Sequence, residues 1–220
     1  MKIITIRLNY FYWSHMEVNL LGKGWMRKRK KNFYYRKAKL EGFRSRAAYK
    51  LEQLDKKFSI FKGVKKVLDL CCAPGGWLQY SLSRVGDDGL VIGVDLVEMV
   101  PLPNVHFIQG DITREETLRK IIKVANGKVD LVLSDCSPNV SGIWEVDHAR
   151  QIYLAEASLE IAKKVLRKGG KFVVKVFQGD LFNEYLGKIK MYFKKVKVTK
   201  PEASRKESAE MYIIALSFYG

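Results

Sequence analysis

The sequence predicts an α/β fold: a doubly wound, mostly parallel sheet of seven strands with one antiparallel strand. Three observations predict it. Apolar segments of strand length alternate with amphipathic segments of helix length between residues 67 and 193. Glycine or proline bounds several of these segments. The last two apolar segments have no helix-length sequence between them, which indicates a hairpin.

Seven segments have the length and the Val, Ile, Leu and Phe content of buried strands. In chain order they are Val67–Cys71, Leu90–Leu96, Val105–Ile108, Val129–Ser134, Lys171–Phe177, Val196–Thr199 and Met211–Phe218. Because the last two form a hairpin, one of them is predicted to run against the other strands.

The helices follow from apolar residues at helical spacing. They are predicted at Ser45–Lys57, Trp77–Val85, Arg114–Val124, Asp147–Leu166 and Leu181–Phe193. Thr113 is the expected N-cap of the third helix, with Glu116 as its capping-box partner. The glycine pair 169–170 is expected to end the fourth helix.

Length and charge limit the organisation of the chain. Its 220 residues suit one domain, predicted at 33–220, preceded by a basic and aromatic extension at 1–32. The net charge of +17 is uneven: residues 1–66 carry +15, residues 67–160 carry −7, and residues 161–220 carry +9. Basic surface of this size favours a polyanion, either nucleic acid or an anionic membrane. No apolar run has the length of a membrane span.

The cysteines give no sign of a metal site. Cys71, Cys72 and Cys136 cannot all pair, and none has the spacing of a zinc site. The sequence therefore predicts no bound metal, and a reduced, cytoplasmic setting is the simplest interpretation.

Polar and glycine residues follow the first three strands, where a doubly wound sheet binds its ligand. Gly75 lies in a Pro-Gly-Gly turn after the first strand, and Asp95 ends the second strand 20 residues later, a spacing typical of ribose-binding acids. Asp111 follows the third strand and could accept from an adenine amino group. The loop lacks both GxGxxG and the GK[ST] of a phosphate loop. An adenosine ligand without phosphates, such as S-adenosylmethionine, fits best.

Several motifs in one order make the sequence similar to a known family. They are SRAAYKL at 45–51, DLCCAPGGW at 69–77, SDCSPN at 134–139 with Ser141-Gly142, KFVVKVFQG at 171–179, and Ser204-Arg205 followed by Glu210-Met211-Tyr212. The chain resembles the FtsJ-type RNA ribose 2′-O-methyltransferases over residues 33–220. The resemblance implies a Rossmann-like methyltransferase fold and S-adenosylmethionine as cofactor.

The resemblance also implies site residues. The catalytic set falls on Lys50, Asp135, Lys175 and Glu210, and the cofactor contacts fall on Gly75, Trp77, Asp95, Asp111 and Asp135. Where Cys71 stands, the family often has a small residue such as glycine.

Lys175 can also be judged by its surroundings in the sequence. Attack by a weakly acidic ribose hydroxyl on a sulfonium methyl needs a base for the proton. Lysine is rare inside an apolar strand such as the one that carries Lys175, which favours a function. The alternative is an edge-strand lysine that points into solvent.

Cations and aromatic rings interleave before the first strand, as in surfaces that bind RNA phosphates and bases. The candidate RNA-binding residues are Arg36, Lys37, Lys39, Arg44 and Arg46. Ribosomal RNA of the large subunit is the favoured substrate and transfer RNA stays open. No membrane and no obligate protein partner is expected.

Three other function classes fit less well. A base-carbon methyltransferase would use a cysteine such as Cys136, but the Pro-Cys pair of those enzymes is absent. An exocyclic-amine methyltransferase would show Pro-Pro-aromatic where Pro138-Asn139 stands. A non-catalytic RNA-binding protein remains an alternative, and the loop disfavours a nicotinamide dehydrogenase.

Overall fold

The structure, a computed structural model, describes residues 33–220, so the predicted extension at 1–32 lies outside the described residues. The chain divides into two units, one that ends at Gly42 and one that comprises Phe43–Gly220. In the first unit, helix α1 spans Phe33–Leu40. The domain boundary at residue 33 stays a prediction.

The second unit contains a mixed seven-stranded sheet within the described residues. Its strands are β1 (Lys66–Leu70), β2 (Leu90–Asp95), β3 (Val105–Gln109), β4 (Val129–Ser134), β5 (Leu166–Phe177), β6 (Phe193–Thr199) and β7 (Glu210–Phe218). The spatial order is β3-β2-β1-β4-β5-β7-β6, and β7 alone among them runs antiparallel to its neighbours β5 and β6. The predicted fold class is confirmed.

Five helices of this unit cover the sheet. They are α2 (Ala48–Phe58), α3 (Gly76–Val85), α4 (Glu115–Ala125), α5 (Trp144–Val165) and α6 (Phe182–Tyr192). One apolar cluster joins the sheet to α4, α5 and α6, and a second joins it to α2 and α3. Side chains alternate along β5, so Phe172 belongs to the first cluster and Val173 to the second. Both faces of β5 are therefore buried, as expected of a central strand.

Two predicted boundaries are wrong. The glycine pair 169–170 does not end α5, because the helix stops at Val165 and β5 begins directly at Leu166, which pairs with Val129 of β4. The Thr113 capping box is also absent: Arg114 is at the N-cap position and no side chain caps the helix. The Thr113 hydroxyl donates instead to Asp111 Oδ1 at 2.8 Å.

Within residues 33–220, no helix combines the length and the apolar character needed to cross a membrane.

Candidate active site

The sheet order brings the predicted loops together. β2, β1 and β4 are adjacent and parallel, so their carboxyl ends meet at one edge. Asp95 ends β2, the loop with Gly75 follows β1, and Asp135 follows β4. This edge is where open α/β sheets bind ligands.

Other side chains of the protein pack closely against the two glycines after β1. Gly75 has a φ of 108°, and a Cβ there would lie 3.1 Å from Leu102 Cδ1 and 3.3 Å from Arg44 Cδ. A Cβ on Gly76 would lie only 2.3 Å from Ser45 Oγ. On this side of the loop, the segment that precedes α2 therefore fills the space beside the two glycines.

The Arg44 side chain links its own segment to the loop after β1 and to the loop between β2 and β3. Its guanidinium donates to the carbonyl oxygens of Val100 at 2.5 Å, Pro101 at 2.8 Å and Pro74 at 3.3 Å. Its backbone N–H donates to Gln79 Oε1 at 2.7 Å. RNA contact by Arg44 stays a prediction, but these bonds give the side chain a role in holding the cofactor loops.

Two of the predicted cofactor acids are ordered by backbone donors. Asp95 accepts from the N–H groups of Ala73 at 2.8 Å and Val97 at 2.9 Å. Asp111 accepts from the N–H and the hydroxyl of Thr113, and the backbone N–H chiefly lowers the pKa of Asp111. Each carboxylate is therefore fixed in position, and its remaining lone pairs can accept from ribose or adenine donors.

Asp69 is a fourth acid near this edge, and no sequence pattern predicted a role for it. The side chain is 1% exposed, and neither carboxylate oxygen has a hydrogen-bond partner among residues 33–220. Burial, and then the nearby Asp135 and Asp95, raise the pKa of Asp69 well above its usual value. An unpartnered carboxyl here fits a cationic ligand, such as one with a sulfonium and an α-ammonium group.

Asp69→Asn is expected to stabilise the ligand-free protein in a pH-dependent way. Because the pKa of Asp69 is raised on folding, the folded state binds the extra proton, and wild-type stability falls as pH rises from about 4 through the raised value. The variant lacks this fall. Urea unfolding from pH 4 to 9 measures it, and parallel curves for the two proteins would contradict it.

Four charged side chains from distant parts of the chain converge beside these acids. Lys50 Nζ of α2 donates to Glu210 Oε2 at 2.9 Å and lies 4.0 Å from Asp135 Oδ2. Lys175 Nζ of β5 lies 3.2 Å from Asp135 Oδ1 and donates to the Asp135 carbonyl at 2.7 Å. Lys50, Lys175 and Glu210 are only 5–8% exposed. Lys175 is therefore not a solvent-facing edge lysine.

Tyr212 joins the two lysine–carboxylate pairs, although the sequence motifs predicted no role for it. Its hydroxyl donates to Asp135 Oδ1 at 2.6 Å and accepts from Lys50 Nζ at 3.0 Å. Tyr212 follows Glu210 by two residues in β7, so both side chains face the same side of the sheet. The two-residue spacing from Glu210 is the sequence feature that could have predicted a place for Tyr212 in the cluster.

Asp135 is the electrostatic centre of this cluster. Burial alone would raise its pKa, but Lys175, Lys50 and the Tyr212 hydroxyl outweigh burial and hold the pKa below its usual value. Asp135 is therefore ionised at neutral pH. The hydrogen bonds of Lys50 and Lys175 to Glu210 and Asp135 fix both amines in position.

Trp77 supports the cluster from the core. The indole is 3% exposed, lies 6.0 Å from the Tyr212 ring, and donates from Nε1 to the Ala47 carbonyl at 2.8 Å. Ala47 directly precedes the helix that carries Lys50. A direct contact of Trp77 with the cofactor stays a prediction.

The predicted RNA-binding cations lie on two units. Arg36, Lys37 and Lys39 are on α1, where Lys37 pairs with Glu41 at 3.7 Å. Arg44 lies in the segment before α2, and so does Arg46, which is partly exposed. Their contact with RNA stays a prediction.

A disulfide corrects the expectation of a reduced setting for the cysteines. Cys71 is bonded to Cys136, with Cα atoms 5.0 Å apart, and Cys72 is free and buried. β1 and β4 are neighbours with Leu70 opposite Ser134, so the cysteines that follow these strands are close. Pairing depends on the strand order, which the sequence spacing of 65 residues does not reveal.

Reduction of this disulfide is expected to lower the free energy of unfolding by about 4 kcal/mol, because the bond closes a 65-residue loop. Urea unfolding with and without a phosphine reductant measures the change. The double variant Cys71→Ser, Cys136→Ser should not respond to reductant. Equal stability of the oxidised and reduced wild type, with the two new thiols verified by titration, would refute the prediction.

Comparison with known proteins agrees with this geometry. The FtsJ-like methyltransferase family model matches residues 43–218. The chain is 54% identical over 200 residues to "Ribosomal RNA large subunit methyltransferase E" of Methanococcus aeolicus, covering 90% of this chain and 74% of that protein. It is 51% identical over 203 residues to the protein of the same name from Methanocaldococcus jannaschii, covering 90% and 83%.

A solved structure has the same fold. It is a putative ribosomal RNA methyltransferase from Plasmodium falciparum, with a TM-score of 0.73 and 33% identity, which covers 81% of this chain and 100% of that one. The family match spans most of the chain, including every residue of the lysine–carboxylate cluster. This chain belongs to the FtsJ-like methyltransferase family.

Proposed function

We propose that this protein transfers a methyl group from S-adenosylmethionine to a ribose 2′-hydroxyl of large-subunit ribosomal RNA in the cytoplasm. The observation that carries the proposal is the buried cluster of Lys50, Asp135, Lys175 and Glu210 at the ligand-binding edge. The relatives from Methanococcus aeolicus and Methanocaldococcus jannaschii, both named ribosomal RNA large subunit methyltransferase E, support the choice of RNA.

The chain's own residues have separable roles in this reaction. Asp95 and Asp111 are assigned to the adenosine, and Asp69 with Asp135 favours a positive charge near the reacting methyl. S-adenosylmethionine supplies an electrophilic methyl on a sulfonium. Lys175 Nζ, held by two oxygens of Asp135, is assigned to the ribose hydroxyl. After it has released its own proton to solvent, the neutral amine accepts the proton that leaves the hydroxyl as the oxygen–methyl bond forms and the methyl–sulfur bond breaks. Lys50, held by Glu210 and Tyr212, fixes the other side of Asp135.

Positioning is expected to contribute most of the rate. Methyl transfer in line with the sulfonium requires a nucleophile held at the correct distance and angle. Both amines are buried, hydrogen-bonded and carried on regular elements, α2 and β5, rather than on loops. The site is therefore organised before substrate binds.

The test is methylation of defined RNAs. Transcripts of large-subunit ribosomal RNA, small-subunit ribosomal RNA and transfer RNA are incubated with labelled S-adenosylmethionine. The expected product is a 2′-O-methylnucleoside in large-subunit RNA, detected by mass spectrometry and by resistance of the adjacent bond to alkali. A methylated base, or methylation of transfer RNA alone, would overturn the proposal.

Replacing Asp95 tests the cofactor half of the site. Asp95→Ala is expected to weaken S-adenosylmethionine binding at least about tenfold, since it removes a charged acceptor for ribose hydroxyls. Asp95→Asn keeps one acceptor oxygen and should bind better than the alanine variant. Isothermal calorimetry measures both. Asp87→Ala, which removes an exposed acid before β2, is the matched control, and unchanged affinity in Asp95→Ala would refute the ribose role.

A further inference from the structure

Three aromatic rings form a stack at the carboxyl edge of the sheet. Trp144, the first residue of α5, lies 5.5 Å from His148 with an interplanar angle of 12°. It also lies 6.1 Å from Phe177 at the end of β5, with an angle of 20°. Despite both contacts, Trp144 remains 44% exposed. A large aromatic ring therefore remains accessible to solvent at this edge of the sheet.

The stack is held rigidly from the inside. His148 is 4% exposed, and its Nε2 accepts from the Leu181 N–H at 3.1 Å. A Cβ on Gly179 would lie 2.8 Å from this imidazole, so glycine there leaves room for the ring. The carboxylate of Asp147 accepts from the backbone N–H of Ser141, which anchors the loop before Trp144. The imidazole that packs against the indole and the loop before Trp144 are therefore both held in position.

The stack adjoins the catalytic cluster. Phe177 lies directly opposite Glu210 in the antiparallel pairing of β5 and β7, so the two side chains are cross-strand neighbours. Glu210 holds Lys50 at 2.9 Å. Lys175 precedes Phe177 by two residues and faces the same side of the strand. The Phe177 ring thus lies between Trp144 and the strand positions that carry Lys175 and Glu210.

The chemistry of this surface suits an unpaired RNA base. Every base has a π-face, and stacking on aromatic side chains binds single strands with little sequence preference. The exposed Arg150, on the same helix, donates to the Asn139 carbonyl at 3.5 Å and adds positive charge beside this loop. Rings and a cation lie next to the site where a ribose must enter.

We propose that Trp144 and Phe177 form a stacking platform for a base of the substrate RNA strand, next to the ribose that is methylated. This inference rests on the proposed function. The platform positions the strand and takes no part in the proton or methyl transfer.

The experiment compares Trp144 variants. Trp144→Leu keeps an apolar side chain against His148 but removes the aromatic face, and Trp144→Phe keeps a smaller face. The KM for the large-subunit RNA transcript should rise roughly 5- to 140-fold in Trp144→Leu, the range that loss of one stacked base produces. Trp144→Phe should lie between this variant and the wild type. The affinity for S-adenosylmethionine should not change in either.

Two controls separate stacking from other causes. Tyr153→Ala removes an aromatic ring that is 60% exposed on the same helix, nine residues and about 13 Å away, and should leave the KM unchanged. Fluorescence anisotropy with a single-stranded RNA of eight adenylates (A8) should show weaker binding in Trp144→Leu. The slope of affinity against salt concentration should not change, because no phosphate contact is lost.

The outcomes are distinguishable. If the wild type methylates RNA on the ribose but Trp144→Leu has the wild-type KM, the platform is wrong and the function stands. An altered salt slope, or a KM change equal in Tyr153→Ala, also refutes stacking at Trp144. If the wild type does not methylate ribose, the proposed function fails, whereas loss of A8 binding in Trp144→Leu alone would still support a base-binding platform.

Discussion

Lys175→Ala is expected to reduce methyl transfer about a hundredfold to ten-thousandfold while S-adenosylmethionine still binds. The reason is that the variant removes the amine that Asp135 holds at 3.2 Å, and a positioned acid–base group contributes that range. The cofactor contacts assigned to Asp95 and Asp111 are untouched. Single-turnover rates with saturating cofactor measure the first effect, and calorimetry measures the second.

Two further variants sharpen this test. Lys175→Arg retains a cation for Asp135 but cannot release a proton at neutral pH, so it should fold and bind cofactor yet transfer slowly. Lys168→Ala removes an exposed lysine at the other end of the same strand, about 23 Å away, and should leave the rate unchanged. Near-normal turnover in Lys175→Ala would refute the assignment of Lys175 to the reaction.

The fold followed from the sequence because the central strands are buried on both faces. β1, β2 and β4 are therefore apolar at most positions, so segments such as Val129–Ser134 are conspicuous. Boundaries were less predictable. β5 starts at Leu166 because it pairs with β4 there, although the preceding sequence continues a helical pattern. Pairing between strands overrides local preference at such positions.

The site residues also fall into two groups: those that the strand pattern predicts and those that it does not. Asp95 and Asp135 are predictable because carboxyl ends of neighbouring parallel strands meet at one edge. Lys50 and Glu210, 160 residues apart, carry no local signal and were assigned only through the family resemblance. Three other features depend on tertiary neighbours, which no pattern in one sequence specifies. They are the pairing of Cys71 with Cys136, the loop contacts of Arg44 and the unpartnered carboxyl of Asp69.

Asp135→Asn is expected to lower both stability and rate, because this carboxylate is the anion that the two lysines share. The amide still accepts from Tyr212, but Lys175 loses its charged partner inside the protein, which should cost about 3 kcal/mol. Because the pKa of Asp135 is lowered on folding, the wild-type advantage is present above pH 4 and disappears as pH falls through the folded pKa. Urea unfolding at pH 3 to 8 measures this convergence.

A double variant tests whether the charge itself is responsible. Lys175→Met added to Asp135→Asn removes the stranded cation, so the double variant should be less destabilised than the sum of the two single variants. Asp180→Asn, at an exposed acid shortly after β5, is the matched control for loss of one negative charge and should change neither property. Additive destabilisation would mean that Asp135 acts through its hydrogen bonds and shape. Non-additive destabilisation together with a lost rate in Asp135→Asn would mean that the Asp135–Lys175 charge pair both stabilises the edge of the sheet and orients the amine for transfer.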